Sequence, residues 1–444
     1  MSLVARPALR PDWQAWYAER LVSAEQAAAQ IRSGEHLYIP VGMQTRSVVA
    51  ALLARRAGLS EVRITCMPVG DLGWFAPELA GAIEISVIHA NPVSHEALAR
   101  RTADYTPFMI YGAHRAIDEN REEARPIDTA IITVSPPNEQ GYVCLGNAVW
   151  DAGSVVPRAR RVIATVNQHL PRTFGDSWLP VSAIDWFVED HTAPQPRAYP
   201  DPDPWDAAIA GYAGSIVHDR DTIQIGVGST TGNLVRLGGL NGKHDLGYFG
   251  ELTVPGTVDL AREGVITGRC MTTHPHKFVT TAAGNSPEDV AFIDGNPAFE
   301  FRAVDYLHDP RSIAANDNYV AINNALAVDL TGQIAASTIG PRIFSGTGGQ
   351  LAFAIGAFMS RGGRYVVVLP STARGGTVSR IAPQFDAGQI VTVPRDLADI
   401  VVTEYGIARL LNRSVRERAE ALIAIAHPDH RSELRQAAAR LFWP

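Results

Sequence analysis

The chain has 444 residues, 46% of them hydrophobic and 19% charged, with a net charge of −7. This is a soluble globular balance with room for two or three domains, and no apolar run is long enough to span a membrane. An acidic chain without a long basic block speaks against a nucleic-acid partner, and three scattered cysteines without a Cys-x-x-Cys argue against a disulfide framework.

The stretch from Met1 to Asp12 carries two arginines but no apolar core followed by a cleavage site, so no signal peptide is expected. With the cysteine usage, this points to a reducing, cytoplasmic setting. Periodicity predicts a helix over Ala24–Ser33, a strand at His36–Ile39, a helix over Thr45–Ala57 and strands at Val62–Met67, Ile83–His89 and Phe108–Tyr111. Asp128–Val134 and Arg161–Val166 are short, apolar and β-rich, as in parallel strands covered on both faces. Thr192–Pro204 holds five prolines and reads as an interdomain connection.

A second alternation follows. A helix is expected near Trp205–Ile216, a strand at Thr222–Val227, and helices near Gly232–Gly238 and at Leu351–Met359. Strands are expected at Ala327–Asp329, Arg364–Leu369, Ile390–Val393 and Ile400–Thr403, and closing helices at Glu417–Ala426 and Arg431–Leu441. The division predicted is an N-terminal α/β domain over 1–200 and a C-terminal one over 205–444, with a cleft between them as a natural ligand site.

Gly226-Val-Gly-Ser-Thr-Thr-Gly232 follows a strand and precedes a helix. It is one residue too long for the dinucleotide fingerprint and lacks the Gly-Lys-Ser/Thr ending of a phosphate-binding loop. Its backbone N–H groups suit a phosphate or a pantetheine chain, although the same residues also read as a tight turn without a ligand. Ser345-Gly-Thr-Gly-Gly-Gln350 is a second such cluster, read either as an anion or oxyanion site or as a flexible turn. Glu251, in Tyr248-Phe-Gly-Glu-Leu252, reads as a carboxylate on a small-residue turn: a nucleophile or a solvated side chain. Together these features suggest covalent chemistry on an acyl-CoA thioester. No G-x-S-x-G elbow is present, His274 and His276 lack metal-ligand spacing, and no metal site is expected.

The residues carry a wider pattern. Ser135-Pro-Pro-Asn-Glu-Gln-Gly-Tyr142, Val166-Asn-Gln-His-Leu-Pro-Arg-Thr-Phe-Gly-Asp-Ser177, Gln224-Ile-Gly-Val-Gly228, Asp245-Leu-Gly247 and Asp329-Leu-Thr-Gly-Gln333 occur in order. Gly346-Thr-Gly-Gly-Gln350, Pro370-Ser-Thr-Ala-Arg374, Ser379-Arg-Ile-Ala-Pro383, Val402-Thr-Glu-Tyr-Gly-Ile-Ala408 and Ile425-Ala-His-Pro-Asp429 follow. Over nearly its whole length the chain resembles the acetyl-CoA hydrolase/transferase family, which includes 4-hydroxybutyrate, butyrate and succinate CoA-transferases.

The resemblance implies two Rossmann-like α/β domains with mostly parallel sheets and an active site in the cleft between them. It implies Glu251 as the nucleophile of a ping-pong transfer between an acyl-CoA and a small carboxylic acid, short-chain or dicarboxylic. It implies CoA contacts from Gly226, Val227, Gly228, Ser229, Thr230, Asn323, Gly346, Gly348, Gly349 and Arg374. No tightly bound cofactor is needed, and the expected assembly is a homo-oligomer, dimer or tetramer. Water as the acceptor would make the same site an acyl-CoA hydrolase, and loss of catalysis would leave a CoA-binding protein. Members of the family usually read Ile-His-Thr-Glu-Met where this chain has Tyr248-Phe-Gly-Glu-Leu252. Phe249 is expected to make the acyl pocket more apolar and Gly250 to make it roomier, which points to an acid larger than acetate.

Overall fold

The computed structural model describes residues 10–43, 45–70, 72–107, 110–194 and 199–443. The chain divides into two compact units, one of Met1–Pro196 with Val290–Asp305 and one of Arg197–Asp289 with Tyr306–Pro444. Both are α/β with mostly parallel strands, the predicted fold class. Among the described residues no helix is long and apolar enough to cross a membrane.

The first unit is built on β1 (His36–Tyr38), β2 (Val62–Cys66), β3 (Ile83–Val87), β4 (Asp104–Tyr105), β5 (Ile127–Val134), β6 (Ala159–Val166) and β7 (Trp186–Glu189). Their order across the sheet is β7-β6-β5-β1-β2-β3-β4. Every neighbouring pair is parallel, with Leu37 opposite Thr129 and Ile131 opposite Ile163. Ala130, Ile131, Ile132 and Val134 of β5 are all fully buried, so both faces of the sheet are covered and the continuous apolar run is explained. The strand expected at Phe108–Tyr111 falls partly outside the described residues, and Ile110 and Tyr111 are in irregular structure.

The second unit repeats this plan with β8 (Thr222–Ile225), β9 (Gly247–Leu252), β10 (Phe278–Ala282), β11 (Tyr319–Asn324), β12 (Arg364–Val368), β13 (Ile400–Thr403) and β14 (Gly406–Arg409). They run in the order β14-β13-β12-β11-β8-β9-β10. All pairs but the β13–β14 hairpin are parallel. In each unit the chain starts at a central strand, builds outward to one side, then returns to build on the other.

Several boundaries differ from the sequence reading for local reasons. The helix expected near Gly232 begins earlier, at Ser229, because Gly228 is extended and serves as its N-cap. The penultimate helix begins at Val415, because Ser414 and Glu417 form a reciprocal capping box. No strand forms at Ile390–Val393: Val393 makes a single bridge to Ile334, and Ile390 is exposed. Conversely, β9 occupies the segment read as a small-residue turn. Its glycines serve close packing, since a Cβ on Gly247 would stand 2.3 Å from Met271 Cγ and one on Gly250 2.9 Å from the Tyr248 ring.

Close backbone approach recurs in α1 (Asp206–Ile216), where a Cβ on Gly214 would lie 1.8 Å from the carbonyl oxygen of Gly239. A backbone neighbour cannot swing aside. Gly214→Ala should therefore destabilise the protein by about 1–3 kcal/mol. For a unit of this size Tm should fall by about 2–4 °C per kcal/mol, measured by calorimetry.

Candidate active site at the carboxyl ends of the second sheet

The strand order of the second unit reverses between β8 and β11. The chain leaves β8 toward β9 on one side and leaves β11 toward β12 on the other. Loops after such a pair diverge and leave a crevice outside the carboxyl ends of the strands, where ligands of open α/β sheets bind. Gly226, Val227 and Gly228 follow β8 and lead into α2 (Ser229–Leu234), while Asn323 and Asn324 end β11.

These segments interlock. A Cβ on Gly226 would stand 2.5 Å from Asn323 Oδ1, and one on Gly228 2.0 Å from Asn324 Nδ2. The glycines are thus required by asparagine side chains of the neighbouring strand. The Asn323 amide pairs with Gln224, donating at 3.1 Å and accepting at 3.4 Å. Asn324 donates to Thr231 Oγ1 and accepts from the Thr231 N–H at 3.3 Å. Val227 is half-buried, Ser229 exposed and Thr230 buried.

The second glycine loop opens α3 (Gln350–Met359). Gly348 is in the left-handed region at φ +52°, a conformation that favours glycine, and Gly346 and Gly349 are buried. Gln350 Nε2 donates to the Asn324 carbonyl at 3.0 Å and to the Tyr365 hydroxyl at 2.9 Å. The two glycine loops are therefore joined through one residue, Asn324. Burial pushes the phenols of Tyr248, Tyr319 and Tyr365 up, so they act as neutral groups.

Glu251 lies near the carboxyl end of β9, with 18% of its side chain exposed. Its Oε2 is 2.9 Å from Nε2 of His308, whose side chain is only 1% exposed. The contact is off the line that a ring N–H needs, and among the described residues neither ring nitrogen of His308 has a hydrogen-bond partner. A buried polar group left unpaired costs about 1–3 kcal/mol, so this arrangement calls for a reason. The imidazole meets the Phe353 ring edge-on, with centroids 5.1 Å apart. A Cβ on Gly349 would stand 2.7 Å from Glu251 Oε2, 2.7 Å from Phe353 Cε2 and 2.8 Å from His308 Cε1. One carboxylate oxygen is thus enclosed by an imidazole and a glycine Cα, and the second glycine loop is brought against Glu251.

Other expectations meet a different outcome. The Phe249 side chain lines no open pocket: it is fully buried among His274, Tyr306 and Tyr319, and Tyr319 donates to its carbonyl at 2.5 Å. Nor does Gly250 leave room for a substrate, since the Tyr248 ring occupies the space beside it. Arg374 stands exposed at the turn of the Thr372–Ala373 and Val378–Ser379 hairpin, at φ +51°, and makes no ion pair among the described residues. In the same motif Ser371 is fixed by Glu404, donating through its N–H at 2.8 Å and its hydroxyl at 2.6 Å. The sequence reading missed the parts played by Asn324, Gln350 and His308. Gln350 lay inside a motif already singled out, and Asn324 stands next to Asn323, which was already named. His308, in Leu307-His-Asp-Pro310, had no local signal.

Comparison with known proteins identifies the family of the chain. The N-terminal domain of acetyl-CoA hydrolase/transferase matches residues 7–197, and the C-terminal domain matches residues 287–438. A 4-hydroxybutyrate coenzyme A transferase from Clostridium kluyveri is 35% identical over 425 residues, 95% of this chain and 98% of that protein. A succinyl-CoA:cyclohexane-1-carboxylate CoA transferase from Geobacter metallireducens is 35% identical over 426 residues, 96% of each chain. The crystal structure of RipA from Yersinia pestis superposes with a TM-score of 0.90 at 33% identity, covering 98% of this chain and 100% of that one. The chain belongs to the acetyl-CoA hydrolase/transferase family and is a CoA-transferase.

Proposed function

We propose that this CoA-transferase moves CoA between an acyl-CoA and a short-chain or dicarboxylic acid by a ping-pong route, with Glu251 as the covalent nucleophile. The observation that carries the reading is the Glu251 carboxylate, with one oxygen enclosed by His308 and Gly349, beside a glycine loop tied through Asn324 to the loop after β8. One carboxylate oxygen attacks the thioester carbonyl and expels CoA as the thiolate. The thiolate then attacks the glutamyl carbonyl of the resulting anhydride, releasing the first acid and leaving a glutamyl-CoA thioester. An acceptor carboxylate runs the same steps in reverse. Each step exchanges one activated acyl group for another, so no tightly bound cofactor is required.

On this reading Gly226, Val227, Gly228, Ser229, Thr230, Gly346, Gly348 and Gly349 approach CoA through the two loops. Asn323 supports the first loop, and Arg374, exposed and without an ion pair among the described residues, suits the CoA phosphates. The enclosure of Phe249 and Gly250 removes the sequence argument for an acid larger than acetate, so a panel of carboxylates tested against acetyl-CoA and succinyl-CoA decides the substrate.

Glu251→Ala should remove transfer without lowering Tm. Glu251→Asp should lose about 10²-fold, the scale of a misplacement by about an ångström. Wild-type enzyme with acyl-CoA alone should build a CoA adduct on Glu251, visible by intact mass. Borohydride should inactivate this adduct, and an acceptor acid should discharge it. Steady CoA release that ignores added carboxylate would identify a hydrolase instead. Gly349→Ala should lower kcat by about 10²-fold, because the new methyl displaces the carboxylate; steady-state kinetics beside a thermal melt checks this.

A further inference from the structure

His308 is a buried polar group that the transfer scheme has not yet used. Its side chain is 1% exposed, its ring nitrogens have no hydrogen-bond partner among the described residues, and around it stand the Phe353 ring edge, the Gly349 Cα and Glu251 Oε2. Of these only Oε2, at 2.9 Å, can accept a hydrogen bond. Catalytic hydrogen bonds are often poorly aligned in a free enzyme and tighten once the reacting complex forms.

The enclosed position of Oε2 also distinguishes the two oxygens of the carboxylate. We propose that His308 is a catalytic residue whose Nε2–H stabilises negative charge on Oε2 in the tetrahedral intermediate at the Glu251 carboxyl carbon. This rests on Glu251 being the nucleophile. Oε1 attacks the acyl-CoA carbonyl carbon, the carbon–sulfur bond breaks, and CoA leaves as the thiolate. The thiolate sulfur then bonds to the Glu251 carboxyl carbon, and the carbonyl electron pair moves onto Oε2. Collapse of this oxyanion breaks the bond from that carbon to Oε1, and the first acid departs carrying Oε1. Oε2 stays behind as the carbonyl oxygen of the glutamyl-CoA thioester. The trigonal carbon becomes tetrahedral in this step, which shifts Oε2 relative to the ring and lets the off-line contact become a hydrogen bond. A neutral imidazole protonated on Nε2 suffices, and no proton is transferred.

The test uses the full chain with His308→Ala and His308→Gln, the second keeping an amide N–H donor. Single turnovers with succinyl-CoA are quenched with borohydride, and the adduct on Glu251 is followed by mass; discharge of a preformed adduct by acetate is timed separately. Removing one oxyanion donor typically costs about 10²–10³-fold. His308→Ala should slow both adduct formation and its discharge by that factor, since they pass through the same intermediate, while KM for succinyl-CoA stays within about twofold. His308→Gln should recover at least about tenfold of the loss. Wild-type adduct rates in His308→Ala overturn the assignment. So does a glutamine variant that melts like wild type yet is no faster than the alanine variant; if the alanine variant does not fold, a glutamine variant slowed beyond about 10²-fold with a wild-type melt is the overturning result. An adduct that persists in Glu251→Ala is a different outcome: it overturns the nucleophile assignment and this inference with it.

Discussion

Asn324 is the residue on which the geometry of the second unit turns. Its side chain fills the space that Gly228 leaves empty and binds both the N–H and the hydroxyl of Thr231. Its carbonyl receives Gln350 at the start of α3. The loops it joins belong to distant parts of the sequence and meet because the sheet reverses its order between β8 and β11. The glycines at 226 and 228 follow from that junction, and the placement of Gly349 beside Glu251 depends on where α3 begins.

Much of the fold was legible because buried parallel strands have a local signature. β5, β6, β12 and β13 are short, β-branched and apolar on both faces, and nothing in their sequences competes with that reading. β9 was not legible because glycine in a sequence signals a turn, and only the fold shows that Met271 and Tyr248 take up the space. β11 was obscured by ending in two asparagines, whose polar side chains are satisfied by partners on other segments. Ile390–Val393 had the composition of a strand but pairs with its neighbour only through the single bridge of Val393 to Ile334, so composition alone misled.

The candidate site divides along the same line. The glycine loops stood out by residue type and spacing, which a linear reading can detect, while Glu251 drew its proposed role from the family resemblance. His308 was invisible, because a histidine between a leucine and an aspartate has no meaning until the fold sets it against a carboxylate and a glycine Cα. The reading of Phe249 failed for a related reason. An aromatic residue beside a candidate nucleophile was assigned to the substrate, yet its neighbours are other rings of the core.

Tyr248 and Gly250 share a single volume. The Tyr248 ring stacks on Phe278 at 4.3 Å, covers the Gly250 Cα, and directs its hydroxyl to the Leu252 carbonyl. Replacing only one member would either crowd the strand or leave it hollow, next to the residue on which transfer is proposed to depend. The two positions form one packing unit: a substitution at either is tolerated only with a compensating change at the other.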